Sequence, residues 1–138
     1  MTSAALPPEL REGIERLVRD VPQNVLAARA TQTSDAYRDR RASDATIRDS
    51  SSAAAYLAAR MPATYAAISA ALNAVAERTP DFAPQFLLDF GAGPGTASWA
   101  AASLWPALRH ITMLDRNAAL LKTARELAND STHPALKA

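Results

Sequence analysis

The residues of this chain best suited to chemistry sit together in Asp89-Phe90-Gly91-Ala92-Gly93-Pro94-Gly95-Thr96, a stretch that holds three of the four glycines. Ahead of the first glycine, Gln85-Phe86-Leu87-Leu88-Asp89-Phe90 is a short apolar run that reads as a buried strand. Behind the last, Thr96 to about Leu104 reads as an alanine-rich helix. A chain that turns directly from strand into helix needs residues tolerant of positive φ, and glycine also lets a ligand come close to the backbone. The helix start adds unpaired N–H groups and a partial positive charge, a setting that suits a carboxylate or a phosphate.

A second acidic residue belongs to the same arrangement. His110-Ile111-Thr112-Met113-Leu114 reads as a second strand, and Asp115 ends it, 20 residues after Gly95. A carboxylate there can accept two hydrogen bonds from ribose hydroxyls. Dinucleotide sites want G-x-G-x-x-G, with the third glycine for tight helix packing. Here that position is Thr96, and the third glycine comes one residue early, at Gly95. The order strand, Asp-x-Gly-x-Gly-x-Gly instead resembles the first motif of the class I S-adenosylmethionine-dependent methyltransferases. The resemblance implies S-adenosylmethionine as cofactor, held along Gly91, Ala92, Gly93, Pro94 and Gly95. It implies that Asp89 helps to hold the methionine part and that Asp115 fixes the ribose. A nicotinamide-dependent oxidoreductase stays open as an alternative, because Asp115 serves either ligand. An ordinary glycine turn, with Asp89 structural and Asp115 a helix N-terminal charge, explains each residue singly. It does not explain strand, glycines, helix and spaced Asp occurring together.

The elements that must position this loop fall into two textures. Residues 1–79 read as helical, and residues 85–138 read strand, helix, strand, helix. The joint, Thr79-Pro80-Asp81-Phe82-Ala83-Pro84, is a poor helix or strand interior because of its prolines. A first helix starts near Pro7-Pro8 and carries Leu10, Ile14, Leu17, Val18 and Val21 at helical spacing. A second runs from Gln23 towards Arg40, and the polar Ser43–Ser52 stretch reads as loop. A third covers Ala53–Arg60. Pro62 disfavours helical geometry at Met61, which predicts a break there and a fourth helix bearing Tyr65, Ile68, Leu72 and Val75 on one stripe. After the second strand, Asn117 can cap a last helix with Ala118, Leu121, Ala124, Arg125 and Leu127.

Upstream residues narrow the resemblance. Tyr56-Leu57-Ala58-Ala59-Arg60-Met61-Pro62-Ala63-Thr64-Tyr65-Ala66-Ala67 is similar to a stretch of the ribosomal small-subunit-associated methyltransferase-like family. So are Leu88–Ala97, Trp99-Ala100-Ala101, and Ser34 with Tyr37-Arg38. The family resemblance implies an α/β fold: an N-terminal helical region followed by the first βαβα of a Rossmann-like class I methyltransferase domain, truncated. It implies a role in small-subunit or rRNA maturation, with the small ribosomal subunit or its rRNA as partner. A non-catalytic assembly factor that keeps the fold is the second reading. The family's later strands and its iron–sulfur cysteines would lie beyond Ala138, as would the acceptor and base residues, so no catalytic residue is assigned. Two parallel strands alone leave exposed edges. The expectation is a segment of a protein roughly twice as long, inactive by itself.

Bulk properties exclude other classes. A net charge of +1 gives no global electrostatic case for nucleic acid. The absence of cysteine excludes disulfides and thiolate metal sites in these residues. No apolar run of ~18 residues is present, and the N-terminus has neither a secretory nor a transit pattern, so the expected location is the cytoplasm. Arg38, Arg40, Arg41 and Arg48 could meet rRNA phosphates, or form a solvated face with Asp39, Asp44 and Asp49; the second is favoured. Arg60 could point to the cofactor edge or clamp two helices. Trp99, Trp105, Tyr56 and Tyr65 are expected to pack, and His110 and His133 have no partner that suggests chemistry.

Overall fold

A computed structural model describes residues 4–38 and 47–137. Of the arginine-rich stretch, residues 39–46 lie outside the described residues, as do the side chains of Ser34, Tyr37 and Arg38. Helix α1 spans Pro8–Val18 with Pro8 in its first turn, where the missing N–H costs nothing. Helix α2 spans Gln23–Arg38.

Helix α3 corrects the sequence reading. It runs unbroken over Ser50–Arg78, with Pro62 inside it. It starts three residues earlier than expected because Asp49 and Ser52 form a capping box. The Ser52 N–H donates to Asp49 Oδ1 at 2.7 Å, and the Asp49 N–H donates to Ser52 Oγ at 3.2 Å. The expected break at Met61 does not occur. An interior proline costs on the order of 3 kcal/mol. Leu57, Met61 and Tyr65, one helical turn apart on a single face, are each at most 4% exposed. Burying three large side chains contributes several kcal/mol, provided the helix continues past Pro62, which itself faces outward. Tertiary packing therefore overrides the local signal.

The second half contains strand β1 (Phe86–Phe90), helix α4 (Thr96–Leu104), strand β2 (His110–Leu114), helix α5 (Ala118–Asn129) and a four-residue helix α6 (Pro134–Lys137) that the sequence pattern did not suggest. The two strands are parallel and paired from Phe86↔His110 to Phe90↔Leu114. Their carboxyl ends are therefore level at one edge of the sheet. Here β1 departs from a strand buried on both faces. Leu87, Asp89, Ile111 and Met113 are half-buried, whereas Phe86, Leu88 and Phe90 are 71%, 63% and 85% exposed. Among the described residues, helices cover one face of the sheet only.

One core joins both halves. It includes Leu10 and Ile14 of α1, Leu57, Met61 and Tyr65 of α3, Trp99 of α4, Leu120 and Leu127 of α5, and Leu136 of α6. The Tyr65 hydroxyl also donates to Ser103 Oγ, 3.1 Å away. From the far end, Glu9 accepts from Ser131 Oγ (3.2 Å) and from the Thr132 N–H (2.9 Å), and Arg16 pairs with Asp130. These contacts lock α1 onto the turn after α5. Trp99 and Tyr65 are buried as expected, and Trp105 packs edge-on against Phe82 at 5.6 Å. No helix among the described residues is long and apolar enough to cross a membrane.

Candidate functional site

The glycine loop lies where β1 ends, beside the end of β2. The Leu114 carbonyl accepts from the Gly91 N–H at 2.7 Å and the Ala92 N–H at 3.0 Å. The Gly95 N–H then closes the turn on the Ala92 carbonyl at 2.9 Å. Gly91, Gly93 and Gly95 all take positive φ, at 75°, 54° and 84°. The two ends of the loop need glycine for different reasons. A Cβ at Gly91 would meet nothing within 4 Å, so that end opens to space. A Cβ at Gly95 would stand 3.0 Å from Met113 Sδ, so that end is packed against β2. Gly95 is also the N-cap of α4, and no side chain caps that helix. Ala92 and Pro94 are buried and shape the turn, whereas Gly91 is exposed and Gly93 half-buried.

Both predicted carboxylates are already engaged, Asp115 on the loop itself and Asp89 on the helix that follows it. Asp115 accepts from the Gly93 N–H through Oδ2 and from the Asn117 N–H through Oδ1, both at 2.7 Å. It thereby ties the middle of the loop to the start of α5. Each oxygen keeps a further lone pair for a ligand hydroxyl. Asn117 caps α5 by accepting from the Leu120 N–H at 3.1 Å, and its Nδ2 donates to the Ile47 carbonyl at 3.0 Å. The segment leading into α3 is thus held beside the loop. Asp89 lies on the helix-facing side of β1 and accepts from Ser98 Oγ at 2.7 Å. Sequence reasoning found the cap at Asn117 but not its tie to Ile47, and it did not single out Ser98.

An open cleft of about 680 Å³ adjoins the loop. Phe90, Gly91, Leu114 and Asp115 line its sheet side, and Arg116, Leu121 and Arg125 line its far wall. That volume lies within the range of small-molecule sites. Arg116 and Arg125 are cleft residues the motif reading missed. The available signal was that Arg125 follows Leu121 by one helical turn, so the two share a face. Arg60 is exposed on α3 and does not line this cleft. His110 stacks on Phe86 at 5.3 Å, and His133 Nδ1 accepts from the Ala135 N–H at 3.2 Å.

Comparison with known proteins gives this geometry a family. The model of the family described as mitochondrial small ribosomal subunit Rsm22 matches residues 50–138. That span contains α3, both strands, the glycine loop and Asp115. This chain belongs to the Rsm22 family. The ribosome assembly protein METTL17, mitochondrial, of Homo sapiens is 45% identical over 73 residues, which is 52% of this chain and 16% of that protein. The chain therefore spans a small part of that relative's length. Membership bears out the resemblance read from Arg60-Met61-Pro62 and from the Asp89–Gly95 loop, because both lie inside the match. Ser34, Tyr37 and Arg38 lie outside it.

Proposed function

We propose that this chain is the cofactor-side portion of a methyltransferase-like protein of small ribosomal subunit assembly, and that its cleft binds S-adenosylmethionine. The observation that carries the reading is the placement of the glycine loop. It joins a parallel strand to a helix at the carboxyl edge of the sheet, where ligands of such folds bind. Its first glycine faces open space beside Asp115. Membership of the Rsm22 family and the similarity to a ribosome assembly protein supply the ribosomal context.

The residues present suit this ligand. Gly91 leaves room for a ligand to lie on the loop, and the start of α4, which no side chain caps, suits a carboxylate. Asp115 can accept from ribose hydroxyls while keeping Gly93 in place, and Asp89 can accept from an ammonium group. The cofactor, when bound, supplies an electrophilic methyl group on a sulfonium. The chain's own contribution is to bind and orient it. Family relation supports reading the fold as the opening βαβα of a Rossmann-like methyltransferase domain. An iron–sulfur cluster would need residues beyond Ala138, since this chain has no cysteine.

A second reading is an assembly factor that keeps the fold and the ligand without transferring the methyl group. The name of the human relative, a ribosome assembly protein, favours it. Calorimetric titration of the full-length protein with adenosylmethionine and with NAD tests the ligand. Saturation by adenosylmethionine alone is expected, and saturation by NAD alone would reject the reading. Transfer of labelled methyl groups to small-subunit RNA then separates enzyme from assembly factor.

A further inference from the structure

Several serines and threonines in or just after the helices of this chain turn their hydroxyls back on a helix carbonyl. Thr31 donates to the Ala27 carbonyl, Thr79 to Val75, Ser103 to Trp99 and Thr123 to Ala119, each four residues back at 2.7–3.1 Å. Ser98 does not. It is the third residue of α4, and the residue four before it, Pro94, lies in the loop outside the helix. Its Oγ leaves the helix and donates across to Asp89 Oδ2 at 2.7 Å. Ser98 is fully buried, at 0% exposed. Asp89 is only half-buried, and among the described residues no donor reaches its other oxygen, Oδ1. One oxygen of the carboxylate is held from the protein side, no described donor reaches the other, and Asp89 stands two residues before Gly91, which lines the cleft.

We propose that Ser98 is a positioning residue for the ligand's ammonium group. Its hydroxyl fixes the Asp89 carboxylate so that Oδ1 can accept from the α-amino group of the methionine tail. The proposal rests on the reading that the cleft takes adenosylmethionine. Two constraints make the fixing effective. The serine cannot rotate into solvent, and it sits on the first turn of the helix that the glycine loop launches. Loop, helix start and carboxylate therefore move as one unit. A Ser98 that served only to satisfy a half-buried carboxylate would affect folding. It would not distinguish ligands that carry the amino group from those that lack it.

That distinction is the experiment. Full-length wild-type protein and Ser98→Ala are titrated by calorimetry with adenosylmethionine and with methylthioadenosine, which keeps the nucleoside and thioether but has no amino acid tail. Loss of one positioned hydrogen bond is expected to weaken adenosylmethionine on the order of five- to tenfold. Methylthioadenosine binding should stay within about twofold, since its contacts lie at Asp115 and not at Asp89. Equal weakening of both ligands, or unchanged adenosylmethionine affinity in the folded variant, overturns the positioning role. A wild-type protein that binds neither ligand overturns the cleft reading itself, and the proposal with it. Should Ser98→Ala fail to fold, Ser98→Cys keeps a similar volume with a much weaker donor and carries the same expectation. Failure of both to fold would assign Ser98 to the fold and overturn the proposal.

Discussion

The long helix α3 and the glycine loop of this chain are held by different physics. In α3, position is set by large apolar side chains, with Leu57, Met61 and Tyr65 buried against α4 and its neighbours. Around the glycine loop, position is set by directed bonds. Two loop N–H groups are held by the Leu114 carbonyl, one by Asp115, and Asp89 is held by Ser98. Apolar burial is strong but tolerant of direction, whereas hydrogen bonds fix orientation at modest net gain. The contrast assigns the bulk of stability to the apolar core that both halves share and the geometry of recognition to the loop. Stability and ligand affinity should then separate under mutation.

The largest expected effect tests the first side of that contrast. Leu57→Ala removes a side chain that is 0% exposed and should cost about 2–5 kcal/mol of folding stability. Denaturant titration measures the loss, and the fraction that remains folded should bind ligand normally. Gly95→Ala comes next, because it acts where the two kinds of restraint meet. Its φ of 84° is strained for any residue with a Cβ, and that Cβ would lie 3.0 Å from Met113 Sδ. A loss of about 1–3 kcal/mol is expected, accompanied by weaker ligand binding as the loop shifts. A Gly95→Ala protein with wild-type stability and affinity would show that this end of the loop is not packed as described.

Asp115→Ala tests the other side. It removes the acceptor for the Gly93 and Asn117 N–H groups together with the proposed ribose partner. Ligand affinity should fall by about 1–3 kcal/mol in calorimetry, while the core is untouched and the melting temperature changes less than in Leu57→Ala. Unchanged affinity would remove Asp115 from the site.

How much of this was legible in the sequence follows the same division. In the strand-loop half, the order of strand, glycine loop, helix, strand and helix was readable. The bounds of β2 and α4 match the apolar patterns, and Asp115 meets the loop at Gly93. A tight strand-to-helix turn is a local problem with few solutions, so its residues announce it. The helical half was legible in kind but not in extent. The rule that proline ends a helix is local, whereas the stripe Leu57, Met61, Tyr65 spans Pro62, and its burial is decided by α4 and α5, which lie far off in sequence. Ser98 stayed hidden for a related reason. A serine in an alanine-rich helix carries no signal until the strand bearing Asp89 is placed beside it. The exposed face of β1 was misread because Phe86, Leu88 and Phe90 are apolar whether or not anything covers them.

The smallest expected effect concerns the start of α3, where a directed bond supports the apolar half. The Ser52 N–H and hydroxyl on the Asp49 carboxylate hold its pKa below the ordinary value near 3.8, with Arg29 assisting at 3.5 Å. A carboxyl group whose pKa is lower in the folded state contributes stability that is fully present above the unfolded pKa. That stability fades as pH falls through the folded value. The contribution is small because the Asp49 side chain is 55% exposed. Asp49→Asn keeps an N-cap acceptor but does not titrate in this range and carries no charge for the helix dipole. Wild type should therefore be slightly more stable than Asp49→Asn above about pH 4, and the gap should close as pH drops further. Thermal melts of both proteins across that range measure it, since every other acid group titrates equally in the two. A gap that stays constant with pH would mean that the Asp49 charge contributes nothing and that the cap works through its oxygen alone. The start of α3 would then depend, like the rest of the helix, on what it buries.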